Sequence, residues 1–317
     1  MPTPAGNPDP NVKPPRIAIT GLAGFVGGHL AAALRDAGIA VCGTVLNEAE
    51  RDRAVALSTP DVAIADLMDP TALRKGFEGA THIVHLAAIS SGAAGAEAWQ
   101  ANVDGTRNVL RAAEGRRVLL ASTGYVYGRT SPERPAVESD PLDPIGDYAA
   151  SKAAMERMAN TEFADADVVI ARSFNHTGPG QGPGFVAPAF AQQIAEIEAG
   201  KREPVLRVGN LDALREMMDV RDVVRAYMAL ALLPPEAGRV FNVSSGWPCT
   251  VRRILDLLLG FSTAEIRVET DPERLRPSDN PCSTGDSSRL RAATGWRPGI
   301  PLERTLEDTL NWWRARA

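Results

Sequence analysis

The chain has 317 residues, a formal net charge of −5, 44% hydrophobic residues and 23% charged residues. That length holds one large or two modest domains, and that apolar fraction fills a packed core and excludes a disordered polyelectrolyte. The acidic balance speaks against a general nucleic-acid or membrane-surface binder, because both need a basic footprint. An anionic small molecule would have to meet a local cluster of Arg or Lys. The three Cys (Cys42, Cys249, Cys282) form no CxxC, so reduced thiols are expected rather than a disulfide framework or a zinc site. The four His (His29, His82, His85, His176) show no ligand spacing, and no metal is expected. No apolar run approaches the roughly eighteen residues that span a bilayer. Residues 1–14 are rich in Pro and polar residues and read as an unstructured leader without a signal region, which implies a cytoplasmic protein.

In chain order, residues 16–20 form a short apolar run that ends in a Gly-rich turn and predict a buried first strand. A helix follows over 27–38, with Leu30 and Leu34 at helical spacing and Gly38 as its stop. Strands are expected over 39–46, 62–65, 82–86, 117–121 and 167–171, and helices over 70–77, 97–113 and 144–163. This alternation, with near-continuous apolar strands, predicts an α/β fold: a Rossmann-like doubly wound parallel sheet covered on both faces. Beyond Arg172 the pattern becomes mixed. A Gly/Pro loop at 178–184 precedes helices over 185–199, 219–232, 250–259 and 302–315 and strands over 205–208 and 240–243. The expected division is a nucleotide-binding domain over 15–172 and a smaller mixed α/β substrate domain over 173–317. Residues near 219–247 are expected to return to the first domain.

Two constellations carry chemistry. In Thr20-Gly21-Leu22-Ala23-Gly24-Phe25-Val26-Gly27, the first glycine suits a tight turn and the second a close approach of backbone to a pyrophosphate. The third suits close packing of helix on strand. The helix start offers unpaired N–H groups and the positive end of its dipole. In Tyr148-Ala149-Ala150-Ser151-Lys152, the phenol and the ammonium lie four residues apart on one helix face. An ammonium there favours the phenolate and would bring a pKa of about 10 toward neutrality, where the phenol exchanges protons with an alcohol or a ketone. After Val45 the second strand runs into Leu46-Asn47 with no acidic residue before Glu48, and Arg51 and Arg53 follow within reach of a 2′-phosphate. NADP(H) is plausible on this reading, with use of both coenzymes open.

The GxxGxxG spacing resembles the extended short-chain dehydrogenase/reductases, the family of nucleotide-sugar epimerases, dehydratases and reductases. Asp66-Leu67, His85-Leu86-Ala87-Ala88 and Asn102 with Gly105-Thr106 resemble further motifs of that family. The resemblance implies an NAD(P)H-dependent oxidoreductase that acts on a nucleotide-diphosphate sugar and forms a homodimer through a four-helix bundle. It implies that Gly21, Gly24, Phe25, Val26, Gly27, Asn47, Asp66, Leu67, Leu86, Ala87, Ala88, Tyr148, Lys152 and Phe174 hold the coenzyme. It implies that Thr123, placed by the Tyr127-Gly128 pair, completes a catalytic triad with Tyr148 and Lys152, with Ser122 as the alternative hydroxyl. Arg172-Ser173-Phe174-Asn175 through Pro179 resembles RxxNxxGP, and Ser90, Asn175, Arg207, Arg215 and Arg276 are implied substrate contacts.

Residues 178–182, 184–190, 208–211, 219–224 and 273–277 look like those of the GDP-6-deoxy-4-keto-mannose reductases, which favours a GDP-sugar. Leu214, Glu216 and Met217-Met218 depart from that pattern. Tyr125 stands where the 4,6-dehydratases carry an acid, which disfavours β-elimination. A 4-epimerase is the first alternative reading. A dehydratase or a coenzyme sensor without turnover ranks lower.

Overall fold

The structure is a computed structural model that describes residues 14–56, 59, 61–90, 95–274 and 281–317. The expected leader, except its last residue, and Arg276 lie outside the described residues.

The first half alternates as its apolar pattern dictates: β1 (Arg16–Thr20), α1 (Phe25–Asp36), β2 (Ala40–Val45), α2 (Glu48–Ala56), β3 (Val62–Ile64), α3 (Pro70–Gly76) and β4 (His82–His85). Next come α4 (Gly95–Trp99), a widened π-type turn over Gln100–Gly105, α5 (Thr106–Ala113), β5 (Arg117–Thr123), α6 (Asp147–Glu162) and β6 (Val168–Ser173). The second half contributes β7 (His176–Thr177), α7 (Val186–Glu198), β8 (Val205–Val208), β9 (Leu214–Glu216), β10 (Met218–Asp219), α8 (Val220–Ala231) and β11 (Val240–Val243). It ends with β12 (Pro248–Thr250), α9 (Val251–Gly260), β13 (Arg267–Thr270), β14 (Cys282–Ser283), α10 (Ser288–Thr294) and α11 (Leu302–Arg314).

Seven strands make one sheet in the order β3-β2-β1-β4-β5-β6-β11, and every pairing in it is parallel. The doubly wound sheet expected from the sequence is therefore present. Its strands are apolar on both faces because each face has its own cover. Ile17, Ile19, Val84 and Leu119 pack with Leu30 and Leu34 of α1 and with Val223, Val224 and Leu230 of α8. Ala18, Ile83, Val118 and Leu120 pack on the other face with Leu73 of α3, Val109 of α5 and Met155 and Met158 of α6. Successive strand residues point to opposite faces, so one run of apolar residues fills two cores. The strand order reverses between β1 and β4, and the crevice beyond the carboxyl ends of such strands is where this architecture takes a ligand.

A third core joins α7, β8, α9 and α11 through Phe190, Ile194, Leu206, Ile254, Leu258, Leu306 and Leu310. Around it sit small sheets: β13 beside β8, β10 beside β7, and β9 between β12 and β14. The two- to four-residue strands β7, β9, β10, β12, β13 and β14 and helices α2 and α10 were not expected; strands this short carry too little alternation to stand out from loops. The long helix expected over 144–163 starts at Asp147, because Gly146 precedes it at φ +84°. Glu216 has no exposed surface and ties three segments together. It accepts hydrogen bonds from the hydroxyls of Ser244, Ser245 and Thr284 and from the N–H groups of Ser245 and Gly285.

Candidate active site

The glycine turn closes β1 and opens α1. Gly21 adopts φ +69°, a left-handed conformation that L side chains resist, and a Cβ there would come within 3.0 Å of the Ala87 backbone. A Cβ on Gly27 would sit 2.3 Å from the Gly21 carbonyl oxygen and 2.8 Å from that of Leu22, so only glycine lets α1 approach its own turn. Gly24 is the N-cap of α1, and no side chain caps the helix. The first-turn N–H groups of α1 are thus left for an anion, which fits a coenzyme pyrophosphate.

Two cavities open from this turn. One of about 530 Å³ runs past the ends of β2 and β3 and is lined by Gly21, Gly24, Asp66, Leu67, Leu86, Ala87 and Ala88 among others. The Asp66 carboxylate accepts the Met68 N–H at 2.8 Å. Asn47 does not line this cavity: its Oδ1 accepts the Glu50 N–H at 3.0 Å and starts α2. Arg51 and Arg53, read as partners for a 2′-phosphate, do not line it either. They pair with Glu48 and Glu50 one turn back on their own helix.

His85 explains its motif without chemistry. Its Nδ1 lies 2.7 Å from the Thr20 hydroxyl and its Nε2 lies 2.9 Å from the Thr106 hydroxyl. Thr106 donates its own proton to the Asn102 carbonyl oxygen. Thr106 therefore accepts from Nε2–H, and Thr20 donates to Nδ1. Burial, with the nearby Lys152 ammonium, pulls this imidazole down to about 3, so it stays neutral. Asn102, in the widened turn, exchanges two hydrogen bonds with the Ile89 backbone and donates to Ser151 on α6 at 2.9 Å. That fixes the helix of Tyr148 and Lys152 against the carboxyl end of β4.

The second cavity, of about 390 Å³, brings Thr123, Tyr148 and Lys152 into one wall with Gly21, Gly24, Phe25, Val26, Gly27, Leu86, Ala88, Ser90 and Phe174. Lys152 is 3% exposed and donates to the Ala121 carbonyl oxygen at 2.8 Å. Burial pulls its ammonium down to about 8, with the Glu156 carboxylate pulling the other way. Thr123 accepts the Tyr125 N–H at 3.2 Å and keeps its own hydroxyl proton to donate. Ser122, the alternative hydroxyl, is committed to Glu156 at 2.5 Å. Glu156 also receives Arg172, whose Nη2 lies 2.6 Å away. Arg172 of the RxxNxxGP segment is thus turned into the core rather than toward a ligand.

The phenol of Tyr148 behaves otherwise than the YxxxK spacing suggests. Burial pushes its pKa above the ordinary value, and the phenols of Tyr227 and Tyr125 push the same way. Desolvation of the phenolate is the largest cause. At neutral pH the group is a protonated phenol, the form that gives a proton to a ketone oxygen.

A third cavity, of about 350 Å³, lies under α7 and the small sheets, and it holds Arg207, Arg215 and Asn175. Tyr125, Asn175, His176, Gln181 and Phe185 line both this cavity and the one with the triad. Asn175 donates from Nδ2 to the Tyr125 hydroxyl at 2.7 Å, and its buried Oδ1 has no hydrogen-bond partner. His176 stacks on Phe25, and His29 on α1 meets the Pro179 carbonyl oxygen at 2.8 Å, so the glycine helix and the 178–184 loop are joined. Tyr125, Gln181, Phe185, Tyr227 and Ser283 were not singled out as site residues. Tyr125 left a trace in the sequence as the place of a missing acid, and Gln181 and Phe185 lie in segments that resemble the reductases, whereas Tyr227 and Ser283 left none. Among the described residues no group of His, Cys, Asp or Glu could hold a metal, and no helix is long and apolar enough to cross a membrane.

Residues 17–244 match the model of the NAD dependent epimerase/dehydratase family. A GDP-6-deoxy-D-mannose reductase of Pseudomonas aeruginosa is 32% identical over 95% of this chain and 98% of its own length. The structure of RMD from Pseudomonas aeruginosa complexed with NADPH superposes with a TM-score of 0.82 at 32% identity, covering 96% of this chain and all of its own. The UDP-glucose 4-epimerase of Thermus thermophilus, solved with NAD, gives a TM-score of 0.83 at 26% identity, covering 95% of this chain and all of its own. The chain belongs to the NAD dependent epimerase/dehydratase family, the extended short-chain dehydrogenase/reductases, and is an NAD(P)-dependent enzyme of the oxidoreductase type.

Proposed function

We propose that the protein reduces the C4 ketone of a nucleotide-linked 6-deoxy-4-keto hexose, with GDP-6-deoxy-4-keto-D-mannose as substrate and GDP-D-rhamnose as product. The observation that carries this reading is the wall shared by two cavities. Tyr125, Asn175 and His176 face both the triad and the chamber of Arg207 and Arg215. A sugar would stand at the triad while its diphosphate reached those guanidinium groups. Neither Arg207 nor Arg215 is in an ion pair among the described residues, and a planar guanidinium suits two phosphate oxygens at once. The Pseudomonas aeruginosa relative named GDP-6-deoxy-D-mannose reductase supports the choice of reaction.

The bound nicotinamide supplies the hydride. Tyr148 gives its proton to the carbonyl oxygen, Thr123 polarises that oxygen with its hydroxyl, and Lys152 holds a positive charge beneath them. Tyr125 puts a phenol where β-elimination needs a carboxylate, which supports a reductase over a 4,6-dehydratase. Asn175, Arg207 and Arg215 serve the substrate, and residues 173–317 serve mainly as its roof. A homodimer formed by the helices at 95–113 and 147–162 belongs to the same proposal, supported by Trp99, which is half exposed on that surface.

The test is a panel of GDP-, UDP- and dTDP-linked 4-keto-6-deoxy sugars incubated with the protein and reduced coenzyme. Stoichiometric loss of reduced-coenzyme absorbance with one C4 alcohol formed from the GDP-sugar is the expected result. With the corresponding C4 alcohols and oxidised coenzyme offered instead, interconversion of the C4 epimers without net change in coenzyme would establish the epimerase, the activity named for the Thermus thermophilus neighbour.

A further inference from the structure

The cavity at the ends of β2 and β3 takes the adenosine side of the coenzyme if the pyrophosphate lies on the glycine turn. The second strand brings no acid to its end, and Leu46 occupies that place, more than half exposed. Glu50 fills the gap from one turn into α2. Its Oε2 accepts the Leu46 N–H at 2.9 Å, which draws the carboxylate back over the carboxyl end of β2, and the residue lines the cavity. The local cause is a helix cap: Asn47 Oδ1 accepts the Glu50 N–H while Glu50 reaches back past Asn47 to the preceding residue. Capping alone would leave a carboxylate at a helix start with no further consequence. The composition of the cavity wall adds one. Its charged residues are Glu50, Asp66 and Glu97, and no Lys or Arg is among the described residues that line it. The two nearby cations do not line the cavity: Arg51 pairs with Glu48, and Arg53 stands 3.7 Å from Oε1 of Glu50.

We propose that Glu50 selects the coenzyme, making the protein an NAD(H) enzyme that discriminates against NADP(H). Each carboxylate oxygen of Glu50 carries one partner and has a lone pair left for a ribose hydroxyl. A 2′-phosphate in the same place would meet the Glu50 carboxylate, and no Lys or Arg among the described residues lines the cavity to receive it. The inference rests on the use of a nicotinamide coenzyme and is independent of the sugar proposed above.

The experiment titrates the purified full chain with NADH and with NADPH by calorimetry, without any sugar. The wild type is expected to bind NADH at least roughly tenfold more tightly, about 1.4 kcal/mol. Glu50→Gln is expected to reduce that ratio severalfold by strengthening NADPH binding. Asp52→Asn removes the same charge from the same helix outside the cavity and is expected to leave the ratio in place, which separates selection at Glu50 from a general change of charge on that helix. Equal or tighter binding of NADPH by the wild type overturns the inference, and so do equal shifts in the two variants. Binding of neither coenzyme overturns this inference and the reductase reading together, whereas a reversed preference overturns this one alone.

Discussion

Glu156→Gln tests how the buried charges beneath the triad support it. Glu156 is 1% exposed and Arg172 6% exposed. The carboxylate receives Arg172 Nε at 3.0 and 3.1 Å, Arg172 Nη2 at 2.6 Å and the Ser122 hydroxyl at 2.5 Å. Glutamine keeps the volume but not the charge, and it leaves a buried guanidinium without its counter-ion. Losing one partner of such a pair costs about 3–5 kcal/mol. At roughly 2–3 °C per kcal/mol for a chain of this size, the melting temperature should fall by about 6–15 °C.

A second readout is specific to the site. Glu156 is the group that raises the Lys152 ammonium against burial, so its removal lowers that pKa below about 8. The ammonium exists below its pKa and is lost as pH rises through it. The alkaline decline of kcat should therefore begin at lower pH in the variant. A thermal scan and a kcat profile from about pH 6 to about pH 10 measure both. A melting temperature within about 2 °C of wild type, with an unmoved alkaline limb, would refute the reasoning.

Tyr148→Phe removes the proton donor and little else. Turnover should drop by roughly 10²- to 10⁴-fold while the coenzyme dissociation constant stays within about threefold of wild type, as steady-state kinetics and calorimetry would show. Gly27→Ala forces a methyl group against the carbonyl oxygens of Gly21 and Leu22, at 2.3 and 2.8 Å. Neither oxygen can swing aside, because both are backbone. The strain of about 1–3 kcal/mol should appear as coenzyme binding weaker by roughly tenfold to a hundredfold, measured by calorimetry.

Several parts of this structure were legible in the amino-acid order because their causes are local. The apolar runs of β1, β4, β5 and β6 and the glycine spacing at 21, 24 and 27 each express a constraint satisfied within a few residues. The expected strands and helices of the first half recur within a few positions. Other features depend on residues far apart in the chain. Glu216 stood out only as a departure from a family pattern; its partners Ser244, Ser245, Thr284 and Gly285 lie 28 to 69 residues away. Arg172 was read within a ligand-binding motif, but Glu156 supplies a buried partner that its neighbours in sequence do not announce. Arg51 and Arg53 looked available for a phosphate until the helix α2 put Glu48 and Glu50 one turn before them. The phenol of Tyr148 was expected to be acidified by Lys152, yet spacing says nothing of desolvation, and burial decides its direction.

The last strand of the large sheet has a consequence for how the protein is made. β11 pairs with β6, and α8 shares a core with α1, although both arrive late in the chain. On the ribosome the glycine turn emerges first, but the helix that covers its face and the strand that closes its edge are synthesised only after α7 and the small strands. A nascent chain halted before α8 would present one apolar flank of β1, β4 and β5 to water and the bare rim of β6 to any neighbour. Capture of the coenzyme thus belongs to the final stage of biosynthesis, and chaperone engagement should be greatest over the preceding interval.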